Sequence, residues 1–265
     1  MRYLGGKVKI GRWLVEAILA DLGVKRIGLA ADLCSGGGGL THRLADVSDR
    51  VIAVEYHAGL VELMRAVQAG WVPPSSVTRE EYHLVRTGDP LAPLTAFVGF
   101  GVSFGGKLWG GYAAPSPPRR GVMKGDNPAR ESAKTLVRDA RANVEHVCAD
   151  ATTWEPPAGL EVAYIDPPYE GTTGYSGAPA LPPGTWWRKA QALANAGTAV
   201  YVSEYAGPPA GVDARIVWER AKGCMVTKTA SSLDARSAKT STRTERLWRV
   251  LPSEEWDSTL EREVA

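Results

Sequence analysis

Cysteine is scarce. The chain has three, Cys34, Cys148 and Cys224, far apart and without a C-x-x-C pair. An odd, scattered set argues against both a disulfide framework and a zinc site, and it fits reduced thiols in a cytoplasm. Histidine is scarce too. His42, His57, His83 and His146 form no close group, so none is a catalytic candidate and no metal is expected. No apolar run reaches the ~18 residues of a membrane span. No charged segment followed by an apolar one opens the chain, so neither a membrane nor a secretory route is expected. An excess of one charge sign is also missing. The net charge is +2, which does not suit a strongly basic nucleic-acid coat, so any nucleic-acid face has to be local. There is no internal repeat and no low-complexity tract, and nothing distinguishes a monomer from a dimer.

What the chain does have is material for a normal core. It is 44% hydrophobic and 23% charged over 265 residues, enough for one large domain or one domain with an insertion. Short apolar runs alternate with longer helical patterns, which argues for an α/β fold with a mainly parallel sheet. Strands are expected at Ile27–Leu33, Val51–Val54, Val144–Cys148, Val162–Ile165, Ala199–Ser203 and Arg246–Leu251. Helices are expected at Trp13–Leu22, Leu40–Ala45, Ala58–Ala69, Ala129–Arg141 and Trp186–Ala196. The stretch from Trp71 to Pro128 breaks the pattern. It is rich in Gly and Pro and lacks clean periodicity, yet it carries aromatics that want burial. Residues 71–128 therefore read as an insertion into a domain built from 1–70 and 129–252, with 253–265 a charged tail expected to fray. Nine tryptophans are many for this length, and some can serve as stacking surfaces.

Four residues after a strand are the most informative motif. Asp166-Pro167-Pro168-Tyr169 follows the apolar run Val162–Ile165. A carboxylate, two rigid prolines and an aromatic at the mouth of a strand suit a flat base with an exocyclic amine. The ring can stack on the base. The Asp166 carboxylate and the Pro167 carbonyl can accept the two amine hydrogens. A second motif, Asp32-Leu33-Cys34-Ser35-Gly36-Gly37-Gly38-Gly39, sits at a strand-to-helix turn, where glycines let backbone approach a ligand closely. Glu55 ends the next strand about 20 residues on, the usual separation for a carboxylate that accepts ribose hydroxyls. Tyr56 follows it. The pattern is not G-x-G-x-x-G, which disfavours a nicotinamide or flavin. Cys34 lies in the loop, but the chemistry needs no thiol nucleophile, so it reads as a small buried residue there. At the start of the chain, Tyr3-Leu4-Gly5-Gly6-Lys7 can wrap a ligand and bring Lys7 close to it. Asp150 follows a strand, where it can accept an adenine amine or cap a loop.

Tyr3-x-Gly5-Gly6-Lys7, then Asp32-x-x-Ser35-Gly36-x-Gly38, then Asp166-Pro167-Pro168-Tyr169 occur in this order. The order resembles the DNA adenine-N6 methyltransferases of the Dam family and its phage relatives, over nearly the whole chain. Phe97–Tyr112 resembles a segment of the phage-type members. The resemblance implies a Rossmann-like fold dependent on S-adenosylmethionine, with residues 71–128 as an inserted target-recognition region. It places Tyr3, Lys7, Glu55 and Asp166 around the cofactor, in a set completed by Gly5, Gly6, Asp32, Cys34, Ser35, Gly36, Gly38, Tyr56 and Asp150. Asp166, Pro167, Pro168 and Tyr169 become the catalytic group. Two departures stand out: Glu55 where members often carry Asp, and a four-glycine loop with no aromatic or proline before it.

The implied partner is double-stranded DNA. Arg119, Arg120 and Lys124 of the insertion can contact phosphates or base edges. So can Lys228, Arg236, Lys239 and Arg243 of the polar stretch Lys222 to Arg243, which alternatively reads as a solvated loop. At an ordinary pKa of about 3.9, Asp166 is ionised at neutral pH and can draw the amine toward tetrahedral geometry. Cytosine-N4 methylation is the nearest alternative, and a DNA-binding protein that kept the fold without turnover is another.

Overall fold

The structure is a computed structural model, which describes residues 1–117, 126–168, 181–223 and 242–253. Its centre is a seven-stranded sheet made of β1 (Ile27–Leu33), β2 (Ser48–Glu55), β3 (Val144–Cys148), β4 (Val162–Ile165), β5 (Ala199–Glu204), β6 (Ala214–Gly223) and β7 (Thr242–Val250). The spatial order is β3-β2-β1-β4-β5-β7-β6. The first five strands are parallel, and β7 pairs antiparallel to both β5 and β6. Helices α1 (Gly11–Leu22), α2 (Thr41–Val47), α3 (Ala58–Gln68), α4 (Arg79–Val85), α5 (Pro93–Ala96), α6 (Pro128–Asp139) and α7 (Thr185–Asn195) complete the described chain. This is the Rossmann-like α/β architecture with a mainly parallel sheet expected from the sequence. The order reverses between β1 and β4, which opens a crevice at the carboxyl ends of the strands.

The inner strands read as continuous apolar runs because both faces are buried. Alternate residues serve opposite clusters. Ala30, Tyr164, Ala199 and Tyr201 pack with Leu14, Ile18 and Leu44 of α1 and α2. Ala31, Ile165, Val200 and Val202 pack with Trp187, Ala190 and Leu193 of α7. β2 begins three residues earlier than the apolar run Val51–Val54, because the polar Ser48 and Arg50 still form ladder pairs with β1. β6 is an edge strand whose apolar run is only Ile216-Val217-Trp218, followed by charged residues, so it was not expected from the sequence. Lys222 and Arg243, expected in a loop, are paired residues of β6 and β7, and residues 224–241 lie outside the described residues.

The insertion is more regular than its composition suggests. Thr78 opens α4 with a reciprocal capping box to Glu81, which satisfies free amides at the helix start. α5 runs into a π-helical turn, Phe97–Gly101, whose five residues are all buried. Phe97, Val98 and Phe100 share one apolar cluster with Leu60 and Leu63 of α3 and with Ala133 and Leu136 of α6. Among the described residues no helix is long and apolar enough to cross a membrane.

Beyond the π turn, the chain folds back on the N-terminal loop. The Leu4 amide donates to the Gly106 carbonyl at 3.1 Å. Gly106 has φ +68°, and a Cβ there would lie 2.6 Å from the Tyr3 nitrogen and 2.7 Å from its Cα. Neighbouring Gly105 has φ +67° with nothing within 4 Å. Gly105→Ala should therefore lose only the roughly 1–2 kcal/mol of left-handed strain. Gly106→Ala should lose about 1–3 kcal/mol more, because backbone must move. Urea unfolding midpoints of the two variants measure the difference, and equal losses would show that the Tyr3 backbone yields freely.

Candidate active site

A cavity of about 560 Å³ opens at the β1/β4 crevice, within the ~300–1,000 Å³ usual for small-molecule sites. Each of the first four strands ends on it with an acid close behind. Asp32 comes from β1, Glu55 from β2, Asp150 from beyond β3, and Asp166 from the end of β4. The structure thus gathers Tyr3, Gly5, Gly6, Lys7, Asp32, Cys34, Ser35, Gly36, Glu55, Tyr56, Asp150, Asp166 and Pro168 on one wall system. Pro167, also expected at the site, is buried and is not among the residues that line the cavity. Gly38, expected among the cofactor residues, does not line the cavity. It has φ +71° and its carbonyl accepts from His42 Nδ1 at 3.1 Å, so its place is the turn into α2.

The glycine run is shaped as much by protein as by any ligand. A Cβ on Gly37 would meet Tyr3 Cβ at 2.8 Å, and one on Gly36 would meet the Tyr3 ring at 2.5 Å. A Cβ on Gly39 would lie 2.9 Å from the Lys7 nitrogen. The loop after β1 and the N-terminal loop are therefore packed into each other, and Phe100 closes on Tyr3 from the insertion with ring centres 5.3 Å apart. Cys34 adopts φ +66°, unusual for a residue with a side chain. Burial pushes its thiol pKa well up, so it stays protonated and makes a poor nucleophile.

Glu55 holds the same loop. One of its oxygens accepts from the Gly36 amide at 2.8 Å and the other from the His57 amide at 2.9 Å. Burial raises its pKa, against the pull of those amides. The carboxylate, which also accepts from the Tyr56 amide, lines the cavity and retains acceptor capacity for a hydroxyl there. Asp150 accepts from the Thr152 amide at 2.9 Å and its hydroxyl at 2.7 Å, so it organises its loop while facing the cavity.

Lys7 is the cation of the site. Its Nζ lies 2.6 and 2.7 Å from the two oxygens of Asp166 and donates to the Gly5 carbonyl at 3.2 Å. A second carboxylate, Glu245 on β7, stands 3.4 Å away. Burial alone would lower the Lys7 pKa, but Asp166 and Glu245 outweigh it and hold the ammonium above its ordinary range. Asp32 is the opposite case. It is buried, and its Oδ2 accepts from Thr41 at 2.6 Å. Burial raises its pKa to about 7, opposed by the Thr41 bond and helped by the charges of Asp166 and Glu55.

Glu245, Thr41, Phe100 and Trp186 belong to the site or its supports and are not visible as such in the sequence. Glu245 lies 79 positions from Asp166 in a charged strand, with no local motif to mark it. Tyr169, Arg119, Arg120, Lys124, Lys228, Arg236 and Lys239 lie outside the described residues, and of Arg243 only the backbone place in β7 is described. Among the described residues, no group of three His, Cys, Asp or Glu side chains is arranged to hold a metal ion.

No family model and no curated protein matches the chain. Solved structures give distant likenesses. A protein of Pyrococcus horikoshii provisionally named an RNA methyltransferase aligns at 12% identity and TM-score 0.42, over 91% of this chain and 83% of that one. An rRNA methyltransferase of Streptomyces viridochromogenes aligns at 17% identity and TM-score 0.41, over 91% and 84%. A precorrin 8w decarboxylase of Methanobacterium thermoautotrophicum aligns at 13% identity and TM-score 0.35, over 90% and 88%. Scores this low leave the fold to rest on the strand order above, and a shared fold does not fix a reaction.

The raised Asp32 pKa has a consequence for stability. Between about pH 4 and pH 7 the folded protein binds more protons than the unfolded chain, so the Asp32 contribution to stability falls as pH rises. Above pH 7 the burial cost is on the order of 4 kcal/mol, taking ~1.4 kcal/mol per unit. Asp32→Asn keeps an acceptor for Thr41 and removes this slope. Its stability relative to wild type should rise steadily from about pH 4 to pH 8 in urea titrations. Parallel pH profiles would mean that Asp32 stays ionised throughout.

Proposed function

We propose that this protein is an S-adenosylmethionine-dependent methyltransferase acting on adenine N6 in double-stranded DNA. The observation that carries the reading is Asp166. Its carboxylate stands at the end of β4, where the strand order reverses, and faces a cavity of cofactor size together with Pro168. The donor set suits the cofactor. Glu55 presents lone pairs for ribose hydroxyls at the end of β2, Asp150 lies where an adenine amine would reach, and the Tyr3–Lys7 loop closes one side. When bound, S-adenosylmethionine supplies an electrophilic methyl on a sulfonium.

The protein's part is then positional. The amine of adenine is a poor nucleophile, because its lone pair is delocalised into the ring. Holding it in line with the methyl group can supply ~7–11 kcal/mol of barrier lowering. Asp166 accepts one amine hydrogen and the Pro167 carbonyl the other, which localises the nitrogen lone pair. With the cofactor bound, the nitrogen would take the methyl carbon as the carbon–sulfur bond breaks toward sulfur, and Asp166 would carry off the surplus nitrogen proton. A base inside a duplex hides its amine, so the target rotates out, at a cost of a few kcal/mol. Tyr169 is given the stacking role, which returns about 1–3 kcal/mol. Residues 71–128 are given target recognition. Arg119, Arg120, Lys124, Lys228, Arg236, Lys239 and Arg243 are given the phosphate and base-edge contacts.

Incubating the protein with methyl-labelled S-adenosylmethionine and duplex DNA, then digesting to nucleosides, tests the reading. N6-methyladenine is expected. N4-methylcytosine would move the assignment to the other exocyclic amine, and label entering RNA but not DNA would overturn the substrate. Asp166→Asn keeps the side-chain shape and should lower turnover by roughly 10²–10⁴; near-normal turnover in a folded Asp166→Asn protein would refute the acceptor role. Tyr169→Ala should lose far more activity than Tyr169→Phe, since stacking needs the ring and not the hydroxyl. Equal activities would remove Tyr169 from the base pocket.

A further inference from the structure

Glu245 has no place in the mechanism so far, yet it is an expensive residue to keep. It is 4% exposed on β7, at the interior of the sheet. Burying a carboxylate is costly unless it is paired. Its described partner is Lys7, 3.4 Å from the nearer oxygen. Lys7 and Asp166 line the cavity, whereas Glu245 does not. Glu245 therefore meets the ammonium outside the cavity lining.

That geometry bears on a difficulty in the Asp166 role. Both Asp166 oxygens are held by Lys7 at hydrogen-bond distance. A carboxylate gripped in this way is a weaker acceptor for an incoming amine. A second carboxylate behind the ammonium offers it a competing anchor, and a shift of well under an ångström would bring the 3.4 Å contact to hydrogen-bond length. We propose that Glu245 is a positioning residue for methyl transfer, which draws the Lys7 ammonium back from Asp166 so that an Asp166 oxygen can accept the hydrogen of the target amine. The proposal rests on the methyl-transfer reading above. Glu245 touches neither substrate nor cofactor and acts through Lys7.

The test uses Glu245→Gln, which keeps size and removes charge, and Glu245→Asp, which keeps charge. Steady-state kinetics on duplex DNA should show kcat for Glu245→Gln reduced at least about tenfold. The KM for DNA and the calorimetric Kd for S-adenosylmethionine should stay within about threefold. Glu245→Asp should recover most of the loss. An unchanged kcat in Glu245→Gln overturns the proposal. So does a loss of cofactor binding that matches the loss of kcat and is not rescued by Asp, since that is the mark of a purely structural residue. A second measurement needs no turnover. A double-mutant cycle of Lys7→Met and Glu245→Gln on unfolding midpoints should be non-additive, with loss of the Glu245 charge tolerated better once the ammonium is gone. Additive effects overturn the proposal. The two failures are distinct: a wild type that methylates no nucleic acid sinks the functional reading, and the positioning role with it, even where the pair is coupled. An active wild type with an uncoupled pair sinks the role of Glu245 alone.

Discussion

One buried ammonium ties the molecule together. Lys7 arrives on an N-terminal loop that has no regular structure of its own, and it ends between a carboxylate from β4 and another from β7. An unpaired ammonium at that depth would be costly enough to unfold the site or lose its proton. The two acids keep it charged, and in return it fixes the position of both. The contact joins residues 159 apart in sequence, so the cavity wall is complete only once the sheet has assembled and the N-terminal loop has closed over it.

Tyr3 transmits the same constraint outward. It lies against Gly36 and Gly37 on one side, with Gly106 against its backbone and Phe100 beside its ring. A ring in that slot sets the distance between the loop after β1 and the insertion. The glycines that a ligand would need for close approach are thus also needed by the protein itself. Glu55 adds a second fastening by accepting from the Gly36 amide. A site built this way is largely preformed, which favours binding by limiting the ordering that a ligand must impose.

Much of this was legible in the residues. β1 and β4 run where their apolar stretches put them, because strands buried on both faces have few polar positions to confuse their limits, while the shorter edge strand β3 was marked by Val144 and Val147. The acids and loops after these strands were placed at the cavity by the same logic. What escaped was whatever depends on distant pairing. β6 has a short apolar run and a charged second half, so its extent is defined by its ladder to β7. Glu245 resembles any charged residue of an edge hairpin until Lys7 is seen beside it. The insertion looked irregular because its helices are short and its π turn has no simple period, although its aromatics did signal burial. The double duty of the glycine run could not be read from a string of glycines.

On the proposed reading, the packing of residues 71–128 also limits how such a protein can change its target. Phe97, Val98 and Phe100 belong to the cluster that seats α3 and α6, and Gly106 abuts Tyr3. Exchanging the whole of residues 71–128 for another sequence would remove part of the domain's own interior along with any specificity. Variation is cheap only where side chains face solvent, as at Phe104, which is 77% exposed between the buried Ser103 and the tightly packed Gly106. On that reading, new preferences would arise by single substitutions on a retained frame rather than by trading cassettes.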